Sequence, residues 1–405
     1  MTPSSPERTA AFWPLVLVAA AILMITMGAR QSMGLFVAPM QASTGVSIVG
    51  ISFALAVGQF FWGASQPVFG ALADRFGPTP VLVWGGLLLA AGTALTPFMD
   101  SEWGLIVSLG VMTAAGAGAG SFSILIGAAS QRLAPERRAF ASGFINAGGS
   151  FGQFVFAPLN QALISVFGWM QALWTLAVIS LATIPLAFKL GGSAPATPAA
   201  TGGIGMRAQL RVAFKDRSYW CLHLGFFTCG FHIAFLVTHL PSEVNLCGLS
   251  ANVAATSLAV IGIANIAGSL AAGAMGNHVR MKYILFWMYA TRAIAIGLYL
   301  LAPKTPLTFY VFAAVLGLTW LATVPPTAGL VGKLFGTRYL ATLFGMTLLS
   351  HQIGGFLGAY LGGLAFVHLG DYNAMWWADI LLALAAALIN LPIREARLAP
   401  RAAPA

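Results

Sequence analysis

The chain has 405 residues, 59% of them hydrophobic and 7% charged, whereas a soluble globular domain carries about 25% charged residues. Its 20 Lys and Arg and 10 Asp and Glu cannot cover a water-soluble particle of 42.2 kDa, and the mean hydropathy of +0.85 agrees. A soluble enzyme, a nucleic-acid-binding domain and a disordered chain are thereby excluded, leaving a polytopic membrane protein whose basic excess belongs to cytoplasmic loops. Cys221, Cys229 and Cys247 are too few and too clustered for a disulfide framework and read as small buried hydrophobes.

A helix needs about 20 mostly apolar residues to cross a membrane, and twelve stretches of the chain qualify. The first, 12–36, is too long for a signal-peptide core and holds Arg30 in its outer half. The second, 48–72, runs into Gly70-Ala71-Leu72-Ala73-Asp74-Arg75-Phe76-Gly77. The third and fourth cover 80–98 and 103–129, the latter with Gly116, Gly118 and Gly120. The fifth, 140–164, carries Asn146, Gly148, Gly149, Gly152 and Gln153, and the sixth covers 169–188.

A long break, 191–218, follows. Its first part is a flexible run of small residues. Its second part aligns Met206, Leu210 and Phe214 on one helical face beside Arg207, Arg211 and Lys215. It reads either as an amphipathic helix on the anionic inner leaflet or as a solvated basic loop. The chain therefore divides into an N-terminal half, 1–189, a linker, 190–218, and a C-terminal half, 219–405.

The seventh span, 219–240, carries Cys229, His232 and His239; the eighth covers 251–274; the ninth, 283–301, has Arg292 near its middle. The tenth covers 308–332, the eleventh, 341–367, holds His351 and Gln352, and the twelfth, 374–392, holds Asp379 near its outer end. Such runs must be helices, since lipid cannot satisfy an open backbone, and the alternating pattern of a barrel is missing. With the N-terminus inside, every Lys and Arg falls on the cytoplasmic side except Lys304, outside, and Arg30 and Arg292, inside helices. Asp100, Glu102, Glu243 and Asp371 fall outside. Both termini are expected in the cytoplasm.

The halves look alike. The loop after the second span recurs, 203 residues on, as Gly273-Ala274-Met275-Gly276-Asn277-His278-Val279-Arg280, and Gly149-x-x-Gly152 recurs as Gly355-x-x-Gly358. Two six-helix repeats joined by a basic linker suit a secondary transporter. Gly70, Leu72, Asp74, Arg75 and Gly77 match a loop of the major facilitator superfamily, which the whole chain resembles. Pro78 and Thr79 stand where that loop usually has a basic pair. Ser32-Met33-Gly34-Leu35-Phe36 resembles a string in the first helix of bacterial and fungal monocarboxylate porters. Animal porters carry an Asp and an Arg in helix 8 where Asn265 and Ser269 stand here. The resemblance implies an all-α, twelve-helix major facilitator fold, a monomer in a bacterial cell membrane, and a latch on the cytoplasmic side. That latch comprises Gly70, Asp74, Arg75 and Gly77, with Arg132, Arg137 and Arg138 of the next cytoplasmic loop as partners for Asp74.

Charges within the bilayer cost about 2.5–3.5 kcal/mol and persist where they face a cavity or a partner. Arg30 either holds a substrate carboxylate in a bidentate pair or snorkels and bonds to backbone. Arg292 is deep, but on a helix that the resemblance makes peripheral, so it either contacts substrate or supports structure. His232 and His239 lie two turns apart, about 10 Å, too far to share one metal ion. Each of them, with His351 and Gln352, either meets substrate or a proton, or ties helices together. Asn146 and Gln153 share a face that either lines the cavity or knits helices. The leading reading is a secondary transporter of a small organic anion, monocarboxylate-like, with proton coupling open, without cofactor, metal or catalytic constellation. Export of hydrophobic or cationic compounds against protons lacks the buried acid it needs in helices 1, 4 and 5, and uptake of a neutral heterocycle such as a vitamin remains an alternative.

Overall fold

A computed structural model describes residues 12–191 and 205–395. Twelve helical rods account for nearly all of them. α1 is Phe12–Gln31, prolonged by the turn Met33–Phe36 and the helix Val37–Thr44; α2 is Ile48–Phe76, α3 Pro78–Leu95, α4 Glu102–Arg132, α5 Pro135–Phe167 and α6 Trp169–Leu190. The second set is α7 Arg217–Leu246, α8 Ala251–Met275, α9 Met281–Leu301, α10 Pro306–Phe335, α11 Leu340–Leu369 and α12 Asn373–Asn390. Ten of these are long and apolar enough to cross a membrane by their described residues, and α2 and α5, at 29 and 33 residues, are longer than most. The expected linker helix forms at Met206–Lys215, and its Gln209 amide donates to the Phe335 carbonyl at 3.3 Å, which seats it on the second set. The small-residue stretch before it lies outside the described residues.

Local chemistry sets the ends of the rods. Ser47, Ser101, Asp216 and Thr305 each accept a backbone N–H in the first turn of α2, α4, α7 and α10, satisfying donors that a helix start leaves free. Gly77 joins α2 to α3 at φ 89 and ψ 162, a conformation essentially closed to residues with a Cβ. That requirement explains the glycine at the end of the loop motif.

Within each set, glycines bring backbones together, as membrane helices demand where no hydrophobic drive exists between them. Gly148 and Gly152 of α5 lie against the α1 backbone at Ala20 and Met24; Gly354 and Gly358 of α11 lie against the α7 backbone at Phe227 and Phe231. The same pair of contacts thus occurs in both sets. The sets meet along α2 with α11 and along α5 with α8.

One expectation of depth changes here. Because α1 continues to Thr44, Arg30 lies just past the middle of the rod 12–44, in its outer half but deeper than a helix ending at Phe36 would put it. A short 3₁₀ turn, not a loop, follows it, and an apolar segment read alone cannot show that the helix resumes.

Candidate functional site

Two rods are broken at mid-length. α4 unwinds at Gly120–Ser121 and α10 between Thr319 and Val324. Unwound backbone inside a membrane must find partners, and both breaks find them in corresponding ways. At α4, the Thr26 hydroxyl donates to the Gly120 carbonyl at 2.7 Å, while Ser121 and Ser123 donate to Gln66 Oε1 of α2 at 2.8 and 3.0 Å. At α10, the Leu321 N–H donates to Asn265 Oδ1 of α8 at 2.9 Å, and Arg292 of α9 donates to the Thr319 carbonyl and, at 2.6 Å, to the Trp320 carbonyl. The α10 break was signalled by Val324-Pro325-Pro326, since proline belongs in a first helical turn. Broken helices at mid-membrane are where transporters of this architecture build solute sites.

Arg30 shares this depth. Its guanidinium donates to Gln59 Oε1 and stacks over the Trp62 ring at 4.3 Å, and its Nε is buried without a partner. Gln59 and Trp62, not singled out from the sequence, lie at the middle of α2. The next residue, Gly63, is covered by the side chain of Gln352 from α11. Gln352 Nε2 contacts His351 Nδ1 at 3.1 Å, and His351 Nε2 and Gln352 Oε1 are buried without partners. Arg30, Gln352 and His351 are therefore brought to one region, where α2 meets α11. Gln153 is half-buried at the middle of α5.

Asn146 faces the other set of helices. Its amide donates to Ser269 Oγ at 2.7 Å and to the Leu321 carbonyl at 2.8 Å, and Asn265 answers by donating to Ser150 Oγ at 2.6 Å. This reciprocal amide clasp joins α5 to α8 and to the α10 break. Arg292 is 1% exposed and committed to the α10 carbonyls, with Nη1 left unpartnered. His239 Nε2 donates to the Ala359 carbonyl at 2.8 Å, which fixes a proton on that nitrogen, and Nδ1 meets the Tyr372 hydroxyl at 3.3 Å, tying α7 to α11 and α12. His232 meets Asp379 of α12, with Nδ1 2.5 Å from Oδ2 and both side chains at most 1% exposed. Asp379, in the outer part of α12 as the sequence places it, is thus a buried partner in the protein interior. The sequence offers no hint of the histidine opposite.

On the face that carries both ends of the described chain, Asp74 takes partners other than the arginines expected of it. Its Oδ2 accepts from the Thr342 N–H at 2.8 Å and the Thr342 hydroxyl at 2.6 Å, and its Oδ1 from Gln131 at 3.3 Å. Thr342 lies in the first turn of α11, where N–H groups have no intrahelical acceptor and the helix dipole favours an anion. Asp74 therefore caps, from one set of helices, a helix of the other. Gly70, one turn earlier, lets α2 approach Ala341, whose carbonyl lies 2.6 Å from any Cβ built there. Arg132 donates instead to the Leu190 carbonyl at 2.6 Å, Arg137 stacks over Phe12 at 5.5 Å, Arg138 donates to the Leu133 carbonyl at 3.0 Å, and Arg75 covers Phe76 at 5.0 Å. Arg132 and Arg138 thus cover carbonyls at the C-terminal ends of α6 and α4, and Arg75 and Arg137 lie over aromatic rings.

Residues 17–359 match the Major Facilitator Superfamily. The chain belongs to that superfamily. Its fold agrees: the Escherichia coli fucose:proton symporter FucP is similar with a TM-score of 0.70 at 16% identity, covering 94% of this chain and 98% of that one. The proton:xylose symporter XylE is similar with a TM-score of 0.73 at 14% identity, over 94% and 95%. Monocarboxylate transporter 13 of Rattus norvegicus is 27% identical over 94% of this chain and 89% of its own, and the oxalate:formate antiporter of Oxalobacter formigenes 24% identical over 94% and 91%. The protein is thus a multi-pass membrane transporter with two similar six-helix sets, as the repeats and charge pattern implied.

Proposed function

We propose that this protein is a secondary transporter of a small monocarboxylate, moving it by alternating access between an N-terminal half, 1–189, and a C-terminal half, 219–405. The observation that carries the reading is Arg30. It stands at mid-membrane, an amide and an indole are its neighbours, and among the described residues no carboxylate pairs with it. A cation so placed lacks its counter-charge, and a solute carboxylate supplies one in a bidentate geometry. Trp62 covers one face of the guanidinium, leaving the edge with the unpartnered Nε for the anion. Gln352 and His351, across the α2–α11 contact, and Gln153 on α5 are polar neighbours at the same depth. The relatives named for monocarboxylates, oxalate and formate favour the same chemistry.

The charge pattern of the loops supports cytoplasmic termini, which we read as lying in a bacterial cell. Among the described residues, six hydrogen bonds join the halves, and they run from the terminal face to mid-membrane: Asp74 with Thr342 twice, Gln131 with the Arg338 carbonyl, and three in the amide clasp. The conformation is then closed to the cytoplasm. Uptake into proteoliposomes, competed by monocarboxylates, organic cations and vitamins, tests the reading. Carboxylates alone should compete, and Arg30→Lys should weaken apparent affinity about 10- to 150-fold, the loss of one charge-assisted hydrogen bond at about 1.5–3 kcal/mol. Competition by cations only, or an unchanged affinity in Arg30→Gln, would remove Arg30 from the site.

A further inference from the structure

We propose that His232 and Asp379 form the proton site of this transporter, a buried relay in the C-terminal half separate from the Arg30 anion site. The proposal rests on the transport reading above.

Nδ1 of His232 and Oδ2 of Asp379 are 2.5 Å apart. Two bare lone pairs cannot approach so closely, so one proton lies between these atoms. The pair then carries a net charge of −1 with one proton, and none with two. Each partner also has one atom buried without any hydrogen bond: Nε2 of His232 and Oδ1 of Asp379. Unsatisfied buried polar atoms are costly, and a pair that needed only to hold two helices together has no use for them. They are the two atoms at which a second proton is taken up or given back.

The surroundings suit a site that changes charge. α10 presents the Trp320 ring to His232, with centroids 5.8 Å apart, and the Trp320 carbonyl receives Arg292. Of the charged and titratable groups nearby, Arg292 of α9 interacts with Asp379, and Cys229 of α7, which touches the same break at Trp320 and Thr323, links to Tyr289 of α9 and His351 of α11. Arg292 feels the charge of Asp379 and also holds the unwound α10 backbone, which is bonded through Leu321 and Asn146 to the other half. A second proton on the pair relieves the attraction between Arg292 and Asp379. It thereby reaches the segment on which the halves close.

Proton and anion are opposite charges in one low-dielectric layer, so each favours binding of the other, by linkage and to the same extent. The balance is plain. One proton joins the pair from one side of the membrane, one monoanion joins Arg30, and both leave on the other side. Empty and doubly loaded carriers have equal charge, and the singly loaded forms differ from them by one. Mutual enhancement of about 5- to 150-fold, the usual range for coupled sites, suffices to make the doubly loaded carrier the one that crosses.

Radiolabelled lactate in proteoliposomes is the probe. Asp379→Asn and His232→Gln should keep lactate exchange, with equal lactate and equal pH on both sides, within about threefold of the wild type. Both should lose accumulation driven by an inward pH gradient at least tenfold, and Asp379→Glu, which keeps the acid, should restore it. A substrate-free readout accompanies this: in nanodiscs, histidine nitrogen resonances should show His232 gaining a proton on acidification, a step absent in Asp379→Asn. Driven accumulation retained in both variants overturns the proposal, as does exchange lost in step with accumulation, or a His232 that does not titrate in the wild type. A wild-type protein that exchanges no carboxylate, but whose His232 titrates as described, sinks the monocarboxylate reading and leaves the proton site standing. Should both variants fail to fold, the wild-type titration and proton uptake upon lactate addition decide alone, the absence of either being fatal.

Discussion

Asp74 offers the sharpest test of how the halves close. Its carboxylate takes three hydrogen bonds, two of them from Thr342 at the start of α11. Asp74→Asn keeps one oxygen for an N–H but presents an amide where the second oxygen stood, and it removes the charge that the helix N-terminus favours. Hydrogen bonds to charged groups contribute about 1.5–3 kcal/mol, and a charge at a helix terminus about 0.3–1 kcal/mol, rising to about 2 when partly buried. A residual neutral bond returns part of this. The net loss is then about 1–3 kcal/mol, a shift of about 5- to 150-fold toward the state open on the terminal face. That inverts a near-balanced equilibrium but not one that needs about 5.5 kcal/mol. The assay is labelling of Ser142→Cys, a residue 3% exposed beside the α5–α8 contact, in a background with Cys221, Cys229 and Cys247 replaced by serine. Labelling by an impermeant maleimide applied to the terminal face should accelerate, while lactate affinity within one state should hold. Gly70→Ala should act in the same direction, because the Ala341 carbonyl is backbone and cannot move aside alone. Unchanged labelling in both variants, or weakened affinity with unchanged labelling, refutes the latch.

Two further outcomes follow from the breaks. Asn146→Ala and Asn265→Ala each break a buried amide bond across the halves and should each cost about 1–3 kcal/mol; because both grip Leu321, a double-mutant cycle by thermal unfolding in detergent should show coupling of at least about 0.5 kcal/mol. Arg292→Lys swaps a planar fork for a point charge and should lower thermal stability by about 1–3 kcal/mol while leaving lactate affinity within threefold, unlike Arg30→Lys.

The scaffold was legible because its signals are redundant. Apolar length, loop charge and repeated glycine pairs each report the same twelve rods, and an error in one boundary leaves the others intact. The site was legible only in part. Arg30 announces itself as a charge among apolar residues, yet its depth depends on a helix that resumes after a turn at Met33–Phe36. Gln59 and Gln66, seven residues apart in the second span, carry the same amide signal as Asn146 and Gln153, whereas nothing in the sequence separates Trp62 from residues facing lipid. Pairings such as His232 with Asp379, 147 residues apart, are set by helix rotation in the bundle. Asp74 shows the limit best: charge alone pointed to the nearest arginines, whereas a free helix end in the other half satisfies a carboxylate equally well without a second side chain.

The halves repeat what packing needs and diverge in what charge does. Glycines of α5 on α1 recur as glycines of α11 on α7, and each broken helix is held by a polar side chain from the second helix of its half. Charge is distributed otherwise. The position matching Asp74 in the C-terminal half is Asn277, which caps nothing across the halves but lines a cavity of about 300 Å³ between α5 and α10, beside Glu136 and Lys333. One side of the terminal face is therefore clamped by a carboxylate on a helix end. The other is held by close backbone contact of Gly143 with Gly273 and by the amide clasp deeper in the membrane. A clasp of neutral amides carries no net charge and responds little to pH or salt, whereas the Asp74 cap depends on both. Two seams of different chemistry therefore join the halves: the α2–α11 side responds directly to charge at Asp74, whereas the α5–α8 clasp, itself neutral, is reached by charge only through Arg292 and the α10 backbone that it grips.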